Sequence, residues 1–261
     1  MPELPDVEIA RRHLQRWLVG AKVSAALCTD ARLTRPRPPR AFARTLIGRT
    51  VDSVARKGKW LRFVLDDGSR VFSHHGMTGS WLHVPIVAPA RRSERARIDV
   101  VRRGREFSVR FVDARRFGRL LVARTDIADW TALGPDPLAD GIDSHRLSET
   151  FAKSRRAVKI MLMDQRLLAG IGNILATEGL WLARVDPRSP GVALFSSDAR
   201  AIAKGLDRAI ARELADPAGS FFIYGNASKP CPRCGTRLSS VALGGRTTVF
   251  CTGCQVRRRA M

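Results

Sequence analysis

The chain has 261 residues and carries 46 lysines and arginines against 24 acidic residues, which gives a formal net charge of +22 at pH 7. Such a charge favours a polyanionic partner, and nucleic acid is the commonest one. The sequence contains no run of about 20 apolar residues, so no membrane span is predicted. The first residues are acidic, whereas a signal peptide begins with basic and then apolar residues. We therefore expect a cytoplasmic protein of two or three domains that is not associated with a membrane.

The chain opens with MPELPD, in which Pro2 follows the initiator methionine. Removal of Met1 would leave a secondary amine, which is an unusual nucleophile. Alternatively, the two prolines only punctuate the approach to a first helix. Apolar residues recur at helical spacing from Pro5 to Val19, and Asp6 in the first turn suits the helix dipole. These residues alone leave both interpretations open.

Short segments of strand composition follow, from residue 22 to about residue 124, and predict a β-sandwich or barrel. Two of the connecting loops, HHGMTG and DARRFG, carry Met77 and the run Arg115, Arg116 and Phe117. Apolar residues in loops commonly fold back into the core. The alternative is a wedge that enters the base stack of DNA.

The sequence LGPDPLAD marks a linker, after which several segments are amphipathic at helical spacing. Gly170 and Gly172 lie just before a helix that is predicted to begin near Asn173. Free amides at a helix start, together with an asparagine side chain, can bind an anion. Glycine-rich helix starts also occur for steric reasons, so this motif alone is weak.

Four cysteines near the C-terminus follow the pattern C-x2-C, sixteen residues, C-x2-C; they are Cys231, Cys234, Cys251 and Cys254. This spacing suits four thiolates around one structural Zn2+. Two disulfides are the alternative, and a cytoplasmic setting disfavours them. Cys28 stands alone and is predicted to be a buried small hydrophobe. The loop of the ribbon projects Arg246, either as a solvated charge or as a phosphate contact.

Several motifs occur in a fixed order along the chain: MPELPDVE, KGKW, HHGMTGSW, DARRFGRL, LGPDPL, LLAGIGN and the four-cysteine ribbon. They resemble those of bacterial formamidopyrimidine-DNA glycosylases and endonuclease VIII over essentially the whole chain. The resemblance implies an α+β fold with an N-terminal helix and β-sandwich catalytic domain over residues 1–130. A helix-two-turn-helix DNA-binding domain over residues 131–223 and a zinc ribbon over residues 224–261 would follow.

The resemblance also implies base excision repair by a bifunctional DNA glycosylase/AP lyase that acts on damaged double-stranded DNA. Such an enzyme is expected to be a monomer that works at the bacterial nucleoid. Pro2 would attack the sugar and form an iminium, followed by β,δ-elimination. Glu3 would transfer protons, and Lys59 would grip phosphate near the lesion. The DNA contacts that the resemblance implies involve Met77, Arg115, Arg116, Phe117, Asn173 and Arg246.

The chain departs from the family pattern at several positions. Asp6 stands where glutamate is usual, so only possible catalytic support is expected from it. His75 replaces a commonly apolar residue, and Asn226 replaces a commonly basic one. The segment GSFFIYGNASKP before the ribbon is far shorter than in formamidopyrimidine enzymes, whose long loop covers flipped 8-oxoguanine. We therefore expect better activity on abasic sites, ring-opened purines or oxidised pyrimidines.

Two other functions are compatible with these motifs. A catalytically silent lesion- or structure-specific DNA-binding protein of the same fold would require Pro2 to be blocked, for example by a retained Met1. A non-enzymatic zinc-ribbon module for nucleic acid would make the N-terminal motif a coincidence, so we rank it third.

Overall fold

The computed structural model describes residues 2–259. These residues form two compact units, one of Pro2 and residues 6–132 and the other of residues 3–5 and 133–259. The boundary near residue 132 follows the end of the predicted strand region. The further division into domains at residues 223 and 224 stays a prediction.

The first unit consists mainly of antiparallel strands. Helix α1 (Leu4–Leu18) belongs to this unit from its third residue onwards. The other elements are β1 (Lys22–Cys28), α2 (Ala31–Thr34), α3 (Pro39–Leu46), β2 (Val51–Lys57), β3 (Trp60–Leu65), β4 (Arg70–His74), β5 (Ser80–Val84), β6 (Glu94–Arg102), β7 (Arg105–Val112), β8 (Arg119–Ala123) and α4 (Ala128–Thr131). One sheet has the strand order β2-β3-β4-β8, and the other has the order β1-β6-β7-β5.

The two sheets share one apolar core, which confirms the predicted β-sandwich. Alternate residues of each strand point inwards, as the pleat requires. Phe63 of one sheet meets Trp81 of the other edge to face, with ring centroids 5.8 Å apart. Helix α1 adds the apolar stripe Val7, Leu14 and Leu18 to the same core, which explains the helical spacing seen in the sequence. Cys28 is buried there too, as predicted.

The second unit is mainly helical. Its elements are α5 (Ser144–Ala152), α6 (Val158–Leu162), α7 (Asn173–Leu182), a 3-10 helix (Gly191–Ala193), α8 (Ser196–Ala215), β9 (Ser239–Leu243) and β10 (Arg246–Phe250). Strands β9 and β10 form the hairpin of the four-cysteine ribbon. No helix among residues 2–259 combines the length and the apolar character that a membrane span needs.

Helix α7 differs from the amphipathic helix that the sequence pattern predicted. All residues from Asn173 to Trp181 are buried. The helix packs closely along α8 and also contacts α6 and β10, and Trp181 belongs to the small apolar core that includes Cys231 and Cys251. A helix covered on every side needs no polar face, which is why its sequence is apolar nearly all round.

Candidate functional site

Several of the predicted site residues of the first unit lie at one end of the sheet β2-β3-β4-β8. Lys59 directly precedes β3, whose first residue pairs with His74 at the end of β4. His74 in turn pairs with Arg119, the first residue of β8. The loop 75–79 and the turn 113–118 therefore extend from the same sheet end as Lys59. This proximity follows from strand register, which the motifs alone do not give.

The two loops are joined through the buried carboxylate of Asp113. Its oxygens accept hydrogen bonds from the Gly118 amide (2.7 Å), the Arg115 amide (3.2 Å) and the Thr78 hydroxyl. The backbones also come very close, since a Cβ at Gly76 would lie 2.4 Å from the carbonyl carbon of Phe117. Gly76 has a φ of +60° as well, so a larger residue would both clash and be strained. Nothing in the local sequence pattern singles out Asp113.

The side chains of this loop pair differ in exposure. Phe117 is 55% exposed, and the Arg115 guanidinium lies 5.1 Å from the centre of its ring. Met77 is half-buried. An exposed phenylalanine that has not folded into the core is the arrangement that the wedge interpretation requires.

Arg116 has a partner within its own unit. Its guanidinium donates to the buried carboxylate of Asp30, with Nη2 2.9 Å from Oδ1 and Nε bonded to Oδ2. The hydrogen bonds from Arg116 hold the pKa of Asp30 below its ordinary value, against the effect of burial. The backbone of Arg116 is left-handed, with a φ of +61°, so the chain changes direction at this residue. The predicted DNA contact of Arg116 stays a prediction.

Two histidines lie beneath the loop that carries Met77. Burial lowers the pKa of His75 to about 4, with a further contribution from the neighbouring His74. Burial also lowers the pKa of His74 to about 4, and the charge of Lys59 acts in the same direction. Both imidazoles are therefore neutral at pH 7. The Nε2 atom of His75 is buried and has no hydrogen-bond partner among residues 2–259. This unpaired atom lowers stability, and the packing of the imidazole ring near Phe111 must offset that loss.

Glu3 belongs to the second unit and caps helix α7. It is fully buried, and its carboxylate accepts hydrogen bonds from the amides of Gly172 (3.1 Å), Ile174 (2.9 Å) and Leu175 (3.0 Å). The positive end of the helix dipole favours the negative charge there. The anion site predicted at this helix start thus binds a carboxylate of the same chain. Glu3 lies about 170 residues away in the sequence, so the sequence pattern could not predict this pairing.

The glycines before α7 also have a steric role. Gly170 has a φ of +93°, and a Cβ on it would lie 2.7 Å from the Cβ of Leu4. The Leu4 amide donates to the Gly170 carbonyl oxygen (3.2 Å). The close approach of these two segments brings Glu3 to the helix start, and Pro2 directly precedes it. Pro2 is half-buried, and Met1 lies outside the described residues, so its removal stays a prediction.

Asn173 lies in a buried polar cluster with Lys159. The Lys159 ammonium donates to Asn173 Oδ1 and to Thr248 Oγ1 (2.6 Å). Asn173 Nδ2 donates to the Thr247 carbonyl oxygen (3.2 Å). Burial lowers the pKa of Lys159 to about 8, the Glu3 charge opposes this, and Arg246 reinforces it. The cluster ties α7 to the ribbon hairpin, and sequence reasoning missed Lys159 because a lysine within an apolar helix pattern reads as a solvated charge.

The first turns of α1 contain two acids in very different settings. Asp6 is exposed, whereas Glu8 is buried beside three arginines, Arg11, Arg12 and Arg56. Burial opposes ionisation of Glu8, but the hydrogen bonds from these arginines outweigh it and lower its pKa to about 2. The structure therefore adds Glu8 as a buried, strongly paired acid of this helix, and the catalytic support expected from Asp6 stays a prediction.

The four ribbon cysteines form a cluster that fits one zinc ion. Their sulfurs all lie within 4.8 Å of one another, and the closest pairs are 3.4 to 3.6 Å apart. A tetrahedron with Zn–S bonds of about 2.3 Å needs sulfurs about 3.8 Å apart. Because all four ligands are thiolates, the metal would stabilise the ribbon and would leave no position for a reacting water. The predicted structural Zn2+ site is thus confirmed.

Arg246 begins β10, directly after the Gly244–Gly245 turn of the hairpin, and its side chain is exposed.

The short segment before the ribbon is held by Glu178 of α7. The Glu178 carboxylate accepts hydrogen bonds from the amides of Phe222 (2.7 Å), Ile223 (2.9 Å) and Tyr224 (2.9 Å). Residues 222–224 are therefore fixed to α7. A long loop that closes over a flipped base would have to move, and this segment is held in place.

Two packed sheets with joined loops at one end, a helical unit and a four-thiolate ribbon define an α+β zinc-ribbon protein. Family models described as the Formamidopyrimidine-DNA glycosylase N-terminal domain, the Formamidopyrimidine-DNA glycosylase H2TH domain and the zinc finger found in FPG and IleRS match residues 1–120, 133–221 and 228–256. The chain belongs to the formamidopyrimidine-DNA glycosylase family, which confirms the resemblance seen in its motifs.

Individual relatives agree over the full length. A formamidopyrimidine-DNA glycosylase of Thermomicrobium roseum is 36% identical over 290 aligned positions, covering 98% of this chain and 99% of the relative. A Lactococcus lactis Fpg solved with DNA that contains an oxidised pyrimidine is 27% identical, with a TM-score of 0.90 over 97% of this chain and 99% of that one. A MutM solved with DNA that contains carbocyclic 8-oxo-G is 27% identical, with a TM-score of 0.89 and the same coverage.

Proposed function

We propose that this protein is a bifunctional DNA glycosylase/AP lyase that excises oxidised bases from double-stranded DNA. The observation that carries the proposal is the arrangement of the N-terminus. Pro2 directly precedes a buried carboxylate, Glu3, which the amide of Gly172 and two amides of α7 hold in one orientation. A terminal amine beside a positioned acid is what iminium chemistry at a sugar requires. Full-length membership of the family supports the same activity.

The chemistry begins with attack of the Pro2 nitrogen on C1′ of the damaged nucleotide. The glycosidic bond breaks, the base leaves with its electron pair and takes up a proton, and the amine loses its proton. Opening of the sugar ring then gives a cationic iminium. Loss of a C2′ proton expels the 3′ phosphate by β-elimination, and a second elimination expels the 5′ phosphate. Glu3 transfers the protons at the sugar.

The remaining site residues bind the DNA. Lys59 contacts phosphate near the lesion at the sheet end where the loops 75–79 and 113–118 emerge. Met77, Arg115 and Phe117 fill the gap that the extruded nucleotide leaves, since extrusion costs stacking that an inserted side chain can replace. Phosphate contacts are completed by Arg116, Asn173 and Arg246. The +22 charge draws the polyanion to the protein.

The experiment is borohydride reduction during reaction with a duplex that contains an abasic site. We expect a trapped protein–DNA adduct that peptide mapping places on Pro2, in protein whose intact mass shows that Met1 is absent. A variant with one residue added before Pro2 should lose the adduct and keep its DNA affinity. Lys59→Arg is the matched control for the rival amine and should still be trapped. An adduct on Lys59, or none with a verified free proline, contradicts the proline mechanism.

A second function is favoured by one observation. Three amide hydrogen bonds to Glu3 are also what a purely structural helix cap would show, and this suits a catalytically silent lesion-binding protein. The two functions differ in single-turnover experiments. The silent protein would bind an abasic duplex more tightly than an undamaged one and would leave the strand uncut over hours.

The lesion preference follows from the short segment before the ribbon. Because residues 222–224 are fixed to Glu178, little chain is available to close over a flipped purine. We expect excision of ring-opened purines and oxidised pyrimidines to be faster than excision of 8-oxoguanine, with cytosine preferred opposite the lesion because Arg115 can donate to its edge. Rates on matched duplexes test this, and equal or faster release of 8-oxoguanine would refute the argument from the segment.

A further inference from the structure

A cavity of about 260 Å3 lies in the first unit, away from the loops described above. Its walls are the turn between β3 and β4, the last residues of β8, and the chain around α3. The lining includes Arg37, Arg44, Arg49, Arg124, Asp67 and Ser69. A concave surface of this kind surrounds a ligand, which a flat basic patch cannot do.

Strand register places this cavity at the opposite end of the sheet from Lys59. Arg70 pairs with Ala123 at the cavity end, and His74 pairs with Arg119 at the other end. Four strand steps of about 3.4 Å separate the two pairs, which amounts to about 14 Å. The side chains that line the cavity therefore cannot contact a group bound at the loops 75–79 and 113–118.

The cavity is rich in positive charge that the protein itself does not neutralise. Asp67 forms ion pairs with Arg49 (3.4 Å) and Arg124 (3.2 Å). In the part of the chain that the structure describes, the guanidiniums of Arg37 and Arg44 have no ion pair, hydrogen bond or ring contact, and both side chains are exposed. Four arginines and one acid thus line the cavity.

The other acid of the turn does not change this balance. Asp66 accepts a hydrogen bond from the Thr50 amide (3.0 Å) and does not line the cavity. Asp67 is oriented by the Ser69 amide (2.9 Å), so its carboxylate stays with the turn and fixes Arg49 and Arg124 from one side. Two of the arginines are therefore paired with Asp67, and the exposed guanidiniums of the other two are available to an incoming anion.

We propose that this cavity is a second phosphate-binding site, separate from the lesion site. Guanidinium groups bind phosphate oxygens in pairs of parallel hydrogen bonds, which a cluster of four can do from several sides. The ligand is a phosphate ester or a diphosphate. It can belong to the backbone of DNA that extends beyond the lesion site or to a free phosphorylated compound, and the two sources share the same chemistry.

The first test measures binding of inorganic pyrophosphate by isothermal titration calorimetry at low salt. We expect Arg37→Ala/Arg44→Ala to weaken binding at least tenfold. The matched control is Arg105→Ala/Arg200→Ala, which removes two exposed arginines outside the cavity and should change affinity less than twofold. Circular dichroism of each variant checks folding, and none of these residues is part of the proposed catalytic site.

The second test identifies the source of the phosphate with undamaged duplexes of 10 and 30 base pairs. If the ligand is flanking DNA, the cavity variant should weaken binding of the longer duplex more than that of the shorter one, and should reduce its salt slope by about 2. If DNA binding matches the control while pyrophosphate binding is lost, the ligand is a free phosphorylated compound. The proposal is overturned if the cavity and control variants behave alike with both pyrophosphate and DNA. Neither test depends on lesion excision.

Discussion

Replacing Glu3 by glutamine should destabilise the second unit as well as slow the reaction. The carboxylate accepts three amide hydrogen bonds at the start of α7 and is fully buried. Glutamine keeps one oxygen, so at least one amide faces an NH2 group and loses its acceptor, which costs about 1 to 3 kcal/mol. The remaining bonds lose their charge assistance, and the helix dipole loses its counter charge. Together these effects amount to about 3 kcal/mol.

Thermal unfolding followed by circular dichroism measures this effect. A loss of about 3 kcal/mol should lower Tm by roughly 6 to 12 °C for a protein of this size. The control is Asp6→Asn, an exposed carboxylate in the first turn of α1, whose loss should cost less than about 1 kcal/mol. If Glu3→Gln abolished activity with an unchanged Tm, the capping role derived from the structure would be wrong.

Three further outcomes are expected from changes elsewhere. Asp113→Asn should lower stability by about 2 kcal/mol and weaken binding to abasic DNA, because the Gly118 amide loses its acceptor and both loops shift. Unchanged affinity for abasic DNA would show that these loops do not contribute to DNA binding. His75→Leu should make stability less sensitive to acid: His75 has a pKa of about 4 when folded against 6.5, so the unfolded chain takes up the proton first as pH falls from 6.5 to 4. Because His74 has the same lowered pKa in both proteins, the wild type should lose on the order of 2 to 3 kcal/mol more than the variant over that range. Parallel urea titrations at pH 7 and 4 would disprove this if both proteins lost equally. Cys251→Ser should release the zinc, measured by metal analysis, whereas Cys28→Ser should retain it; full zinc content in the first variant would contradict four-thiolate ligation.

The sequence by itself determined the class of elements and the zinc ribbon. The apolar stripe of α1, the alternation of the strands and the C-x2-C pairs are local patterns, and each depends on residues only a few positions apart. The two loops that carry Met77 and Phe117 were also identifiable, because apolar side chains in loops have no local structural reason; their role as a wedge stays a prediction. The family motifs then assigned roles to Pro2 and Lys59, which remain proposals for this chain.

Only the tertiary structure decided which groups serve each other across the chain. Glu3 and the amides of α7 are about 170 residues apart, and Lys159 reaches the ribbon at Thr248. A helix-start amide, a buried lysine or Asp113 can bind a ligand only if no distant residue already forms hydrogen bonds with it. Such pairings arise because a buried polar group without a partner is costly, so most buried polar groups have one, and the partner is chosen by packing, not by sequence distance.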